Sequence, residues 1–256
     1  VYLTNSLQPA HEIPRIDTPA LAHDAEEAKR IKMEYPITVV MGNPPYSYES
    51  KNTGEWISTL IRDYYQVDGK SLDERNPKGL QDDYVKFIRF GQWRIEQTGS
   101  GILAFITNHG YLDSPTFRGM RRSLMQTFSE IYILNLHGNA KRKEITPDGS
   151  SDENVFDIQQ GVTIGLFVKE NKRKRRGKIY YADLWGSRIK KYETLFNIDL
   201  STTDWEDLTP QFPFYLFVPQ DTNMINEYKR GWRLTDIFPA NSVGFFTARD
   251  KLAIRW

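Results

Sequence analysis

Ile37-Thr38-Val39-Val40-Met41-Gly42-Asn43-Pro44-Pro45-Tyr46 is the stretch whose reading decides the fold. The β-branched and apolar run from Ile37 to Met41 predicts a buried strand, which Gly42 releases into a turn. Two prolines follow; neither donates a backbone hydrogen bond, and each holds the residue before it extended. Asn43 therefore stands at the carboxyl end of a strand, with the ring of Tyr46 close behind on a stiff support. In open α/β sheets that edge is where ligands bind. A carboxamide, bare carbonyls and an aromatic face offer acceptors for an amino group and a platform for a flat ring. The combination suits a nucleobase, although a rigid turn with Tyr46 packed on the surface would use the same residues.

Outward from this stretch the chain alternates helices and strands. Upstream, Val1–Asn5 predicts a short strand, and Ala20 to Met33 a helix with a weak apolar stripe. A helix is expected from Glu55 to Tyr65, and a clearer one with Tyr84, Phe87, Ile88, Gly91 and Ile95 on one face. Asp82 and Asp83 open it, where carboxylates favour the helix dipole. Ile102–Ile106, Ile131–Leu136, Val162–Val168 and Lys178–Leu184 predict further strands, and a helix runs from Ser114 or Thr116 to about Phe128. The turn Thr107–Gly110 should share the sheet edge with Asn43, and a long polar loop spans His137 to Gln160. Past Trp185 the pattern loosens to a short helix near Lys190, an aromatic run at Phe212–Val218 and a strand near Val243–Thr247. No internal repeat is visible.

With 256 residues, 39% hydrophobic and 26% charged, the chain can bury a real core, and no apolar run reaches membrane-span length. No signal peptide opens it, so a cytoplasmic location is expected. The absence of cysteine excludes disulfides and thiolate metal sites. His11, His23, His109 and His137 lack metal-ligand spacing, so no metal site is expected. The net charge of +1 neither requires nor forbids nucleic acid; local clusters must decide. Lys141, Arg142 and Lys143 are candidate DNA-phosphate contacts, whereas the run Lys172–Lys178 reads most simply as a solvated hairpin turn. Trp185, Trp205 and Trp232 are expected in the core. Val1 in place of methionine and Trp256 without a polar tail make the chain read as a segment of a longer one.

Methylating the exocyclic amine of adenine sets a particular demand. The N6 lone pair is delocalised into the ring, so acceptors on both amino hydrogens are needed to hold density on nitrogen. The Asn43 side-chain oxygen and the Pro44 carbonyl suit that task, and no strong base is needed beforehand because the proton becomes acidic once nitrogen carries the methyl. Tyr46 can stack on a base taken out of the duplex, worth ~1–3 kcal/mol against a few kcal/mol of unstacking.

Asn43-Pro44-Pro45-Tyr46 after an apolar strand resembles the catalytic motif of N6-adenine DNA methyltransferases. Asp83-Tyr84-Val85, Gly101–Asn108 and Phe117-Arg118-Gly119-Met120-Arg121 resemble that family's succeeding elements. Glu153-Asn154-Val155-Phe156-Asp157 resembles its next motif, in which an aromatic residue faces the flipped adenine from the other side; the resemblance implies that role for Phe156. With the tail segments Phe214–Gln220 and Asn241–Asp250, the similarity is greatest to the methyltransferase segments of single-chain type I-like (type ISP) restriction–modification enzymes. The implied fold is α/β, the C-terminal part of a Rossmann-like S-adenosylmethionine-dependent sheet with a mixed-strand edge. Its expected limits are residues 1–185, with 186–256 a connector toward a target-recognition domain. The implied partners are double-stranded DNA, upstream helicase, nuclease and cofactor-binding segments, and a downstream recognition domain.

One departure shapes the expectation. The family's glycine-rich S-adenosylmethionine turn has no counterpart here, so the main cofactor motif is expected upstream of Val1, with Asn5 as the one cofactor contact the chain supplies. Catalysis is expected from Asn43, Pro44, Pro45 and Tyr46. An RNA or protein-amide N-methyltransferase and a catalytically inactive DNA-binding fragment are the alternatives.

Overall fold

The computed structural model describes residues 2, 4–12, 19–46, 50–74, 77–171, 177–221, 224–228 and 230–239. In chain order these form α1 (Pro19–Glu34), β1 (Val39–Gly42), α2 (Glu55–Leu60) and a ribbon of β2 (Gln66–Val67) with β3 (Lys70–Ser71). Next come α3 (Asp83–Thr98), β4 (Gly101–Asn108), α4 (Arg118–Thr127), β5 (Glu130–His137) and β6 (Val162–Lys169). The series continues with β7 (Lys178–Asp183), α5 (Arg188–Asn197), β8 (Glu206–Leu208), α6 (Ile225–Tyr228) and α7 (Leu234–Ile237).

One sheet runs β1-β4-β6-β5-β7-β8. β1 is parallel to β4, β5 is parallel to β7, and β6 lies antiparallel to both β4 and β5. The expected mixed edge is present in the antiparallel edge strand β8, and a second antiparallel strand, β6, sits inside the sheet. β6 follows the long loop after β5, and an antiparallel return needs no crossover helix. The consequence is local. Val162, the first residue of β6, pairs with both Asn108 and His137, so the carboxyl ends of β4 and β5 flank one point.

The sheet buries a core on each face. Alternate residues of β5 divide between them: Ile131 and Ile133 join Val85, Ile88, Leu103, Met120 and Leu124, while Leu134 and Leu136 join Val155, Val162 and Ala182. α3 begins as expected at Asp82, whose carboxylate accepts from the Tyr84 N–H, and ends at Gly99 in the left-handed region. Arg121 of α4 is fully buried and donates to the carbonyls of Tyr111, Ser114, Phe214 and Tyr215, stapling the 214–217 segment to the core. Burial pushes its guanidinium down to about 9.

Three expectations change. β1 is not buried: Val39 is 54% and Met41 75% exposed, because β4 is its only strand neighbour among the described residues. Tyr2, Thr4 and Asn5 are not in a strand; the Asn5 side chain accepts from the Leu7 N–H and closes a turn instead. Residues 186–219 belong to one compact unit, Val1–Pro219, and a second unit begins at Gln220. In that second unit Trp232 is 83% exposed rather than core. The strand near 243–247, the tail 241–250 and the basic residues 172–176 lie outside the described residues. Among the described residues no helix is long and apolar enough to cross a membrane.

Candidate functional site

The turn after β1 leaves the sheet where Gly42 pairs with Phe105 of β4. Asn43 and Pro45 are exposed, Pro44 is buried and Tyr46 is half-buried. The Tyr46 hydroxyl donates to the carbonyl of Ile106, 3.3 Å away on β4, which fixes the ring against the sheet edge. Burial pushes its phenol up to about 12, so Tyr46 is neutral at physiological pH. Beyond the turn the chain is tied to the start of α3. Asp83 accepts from Ser50 and Asn52, and Lys86 Nζ donates to Ser50 Oγ and the Asn52 carbonyl at 2.8 and 2.6 Å. Asp83, expected to favour the helix dipole, thus also anchors the segment that follows the Asn43–Tyr46 turn.

Phe156 is presented by a differently built support. Asn154 Oδ1 accepts from the Phe156 N–H at 2.8 Å, while its Nδ2 donates to the carbonyls of Gly138 and Gln160 at 2.9 and 2.7 Å. Gly138 has φ +80 and an added Cβ would lie 2.4 Å from Asn154 Cα, so only glycine fits there. α5 holds the loop from outside: Arg188 donates to the carbonyls of Asn154 and Phe156, and Tyr192 to that of Val155. Beneath it Lys191 and Asp152 form an ion pair at 2.8 Å with both side chains fully buried. The same carboxylate accepts from the backbone N–H groups of Gly138 and Gly186, and Lys191 also donates to the carbonyls of Leu136 and Glu153. Every polar atom of this pair has a partner, the condition under which a buried pair is tolerated.

The two supports bring their rings together. Tyr46 and Phe156 lie 6.5 Å apart between centroids at 54°. That separation is direct tilted aromatic contact. The other sequence candidates are placed less closely. Lys141 and Lys143 are exposed, but Arg142 pairs with Asp113 at 2.6 Å. Asn5 is exposed, with its Nδ2 3.4 Å from Asn52 Oδ1.

A second constellation at the same edge escaped the sequence reading. His109 follows β4, His137 ends β5, and Glu144 comes from the loop; one ligating atom from each lies within 4.8 Å of the others. Gly161 permits this, because a Cβ there would lie 2.3 Å from the His109 ring. His109 Nδ1 faces Asn135 Oδ1 at 3.2 Å and its Nε2 meets Asn139 Nδ2 at 3.0 Å. His137 Nε2 lies 2.6 Å from Asp183, and Trp185 stacks on its ring. Burial lowers the His109 pKa. Burial also opposes charge on His137, but Asp183 and Glu144 outweigh it and raise its pKa. For Glu144 burial works upward, yet His137 and the Asn139 N–H hold the carboxyl below its ordinary range. The histidines are 28 residues apart in sequence and become neighbours only through the strand order, which spacing rules cannot see.

Comparison with solved structures finds similarity to the ATP-dependent Type ISP restriction-modification enzyme LlaBIII bound to DNA, at 29% identity and a TM-score of 0.71. It covers 88% of this chain and 15% of that one. A nuclease-deletion mutant of the Type ISP restriction-modification enzyme LlaGI, in complex with a DNA substrate mimic, is similar at 25% identity and a TM-score of 0.69, over 88% of this chain and 19% of that one. The DrdV–DNA complex shares the fold at 24% identity and a TM-score of 0.70, over 87% of this chain and 22% of that one. The chain therefore spans less than a quarter of the length of each. No family model matches the chain, and no curated protein matches it.

Proposed function

We propose that this chain carries the target-adenine half of a DNA adenine-N6 methyltransferase site, as part of a restriction–modification enzyme that uses S-adenosylmethionine. The observation that carries the proposal is the meeting of Tyr46 and Phe156, from distant segments, beside the exposed carboxamide of Asn43. Similarity to DNA-bound Type ISP enzymes at 25–29% identity supports DNA as the substrate over RNA or a protein amide.

In this reading a flipped adenine enters between the two rings. Asn43 Oδ1 and the Pro44 carbonyl accept its two amino hydrogens, keep electron density on N6 and aim its lone pair away from the ring plane. Pro44 is buried and Pro45 has no N–H, so the turn holds those acceptors without rearranging. Tyr46, neutral and tied to Ile106, supplies a stacking face. Lys141 and Lys143 are the free basic side chains of the candidate phosphate group. S-adenosylmethionine supplies the methyl group, but the described residues do not by themselves fit it. Beside Asn43 the edge of β1 is open, and Asn5 already spends its side-chain oxygen on Leu7. Its main binding motif is assigned to the longer protein.

The test is methylation of a DNA site by the complete enzyme. Asn43→Ala and Tyr46→Ala should each lower the rate by about a hundredfold or more, the scale for removing a preorganised polar or positioning group, while DNA binding persists. Unchanged methylation in Asn43→Ala would sink the mechanism. Calorimetry of this chain alone with S-adenosylmethionine should show negligible heat; micromolar affinity would put the cofactor site within these residues.

A further inference from the structure

We infer that His109, His137 and Glu144 form a binding site for one divalent transition-metal ion of the zinc type. The ion would tie the ends of β4 and β5 to the loop that carries Phe156. The inference stands apart from the methyltransferase reading, since it uses none of the residues assigned to the adenine.

Three observations carry it. First, the donor set is chemically right: two imidazoles and a carboxylate suit zinc, with a fourth position left for water. Their ligating atoms lie within 4.8 Å of one another. Four-coordinate zinc with bonds of ~2.0–2.1 Å needs them to draw in by roughly an ångström; Glu144, outside the sheet, offers Oε1 while its Oε2 accepts from the Asn139 N–H. Second, the His137 side chain is only 8% exposed, yet its Nδ1 has no hydrogen-bond partner and faces Glu144 Oε1 at 3.8 Å. A buried ring nitrogen left unsatisfied is costly, and an ion at this point would satisfy it. Third, each imidazole is oriented from behind. Asp183 holds His137 Nε2 at 2.6 Å, and Asn135 Oδ1 holds His109 Nδ1 at 3.2 Å. These are the outer partners that metal-binding histidines characteristically have, and they direct the opposite nitrogen inward. Asn139 Nδ2, now 3.0 Å from His109 Nε2, would be displaced. A proton on His137 Nδ1 is the competing occupant.

The experiment uses this chain, freed of any affinity tag and stripped with a chelator, then loaded with Zn2+ or Co2+ and passed through gel filtration. The expected result is about one metal ion retained per chain, with a visible cobalt spectrum of low-symmetry four- or five-coordinate type and no thiolate band, since the chain has no cysteine. His109→Gln and Glu144→Gln should each weaken retention by about tenfold or more, and Asp183→Asn by about 10–100-fold through the outer shell. A His11→Gln/His23→Gln double variant should bind like the parent. Absence of retained metal in the parent chain overturns the inference, as does retention unchanged in folded Glu144→Gln. If His109→Gln fails to fold by circular dichroism, the parent stoichiometry and the Glu144→Gln comparison decide alone.

Discussion

Tyr46 and Phe156 face each other from supports of opposite construction. Tyr46 stands on a turn after a four-residue edge strand whose Val39 and Met41 are largely exposed. Phe156 stands on a loop fastened by Asn154, Arg188 and a fully buried Lys191–Asp152 pair. The difference separates two kinds of residue. Around Phe156 the fastening groups are hydrogen-bonded and, Arg188 apart, buried, so they carry stability; beside Tyr46 the Asn43 side chain is exposed and open to a ligand. An exposed apolar edge strand is also the place where another strand can pair.

This contrast predicts a graded set of effects. The largest belongs to Lys191→Met, which leaves the Asp152 carboxylate buried and uncompensated; a loss of about 3–5 kcal/mol is expected in urea unfolding. The Asp152→Leu/Lys191→Met double variant should recover part of that loss, because no charge is then stranded. A single-variant loss below about 1 kcal/mol would mean that the pair does not fasten the loop. Asn154→Ala comes next: it leaves the Gly138 and Gln160 carbonyls without their donor, at about 1–3 kcal/mol by the same measurement. In the complete enzyme it should lower methylation as well, by loosening Phe156.

On the other side, Tyr46→Phe tests whether the ring or the hydroxyl matters. The hydroxyl makes one long bond of 3.3 Å, so about 0.5–1.5 kcal/mol of stability is at stake, and methylation should stay within a few-fold. A collapse of activity in Tyr46→Phe would give the hydroxyl a role that stacking does not explain. The smallest effect on stability belongs to Asn43→Ala, within about 0.5 kcal/mol because the side chain is exposed. Thermal unfolding of that variant checks it, and a large loss would show that the carboxamide holds the turn rather than the substrate.

Much of this was legible in advance, for reasons that differ from element to element. α3 showed itself because its apolar positions repeat at helical spacing between a carboxylate cap and a left-handed glycine. The strands at 130–137 and 162–169 showed as apolar runs because both their faces are covered, and 101–108 did so although only one of its faces is fully buried. The same logic misread β1, since an apolar run announces a buried strand whether or not a neighbour is present to cover it. The three residues of β8 carry too little pattern to be seen at all. The anchoring roles of Asp83, Lys86, Asn154 and Arg188 were hidden because a side-chain bond to a group distant in sequence leaves no periodic trace.

By itself the sequence determined the local chemistry: a stiff Asn43–Tyr46 turn at a strand end, a polar loop bearing Phe156, and the succession of helices and strands. These follow from φ restriction, capping and hydrophobic period, which act over a few residues. Only the tertiary structure decided that β6 runs antiparallel between β4 and β5, and hence what meets at the carboxyl edge. That strand order puts Tyr46 against Phe156 and His109 beside His137 and Glu144. The physical reason is that pairing between strands is settled by backbone hydrogen bonds and by burial across the whole sheet, and no window of the chain contains both partners.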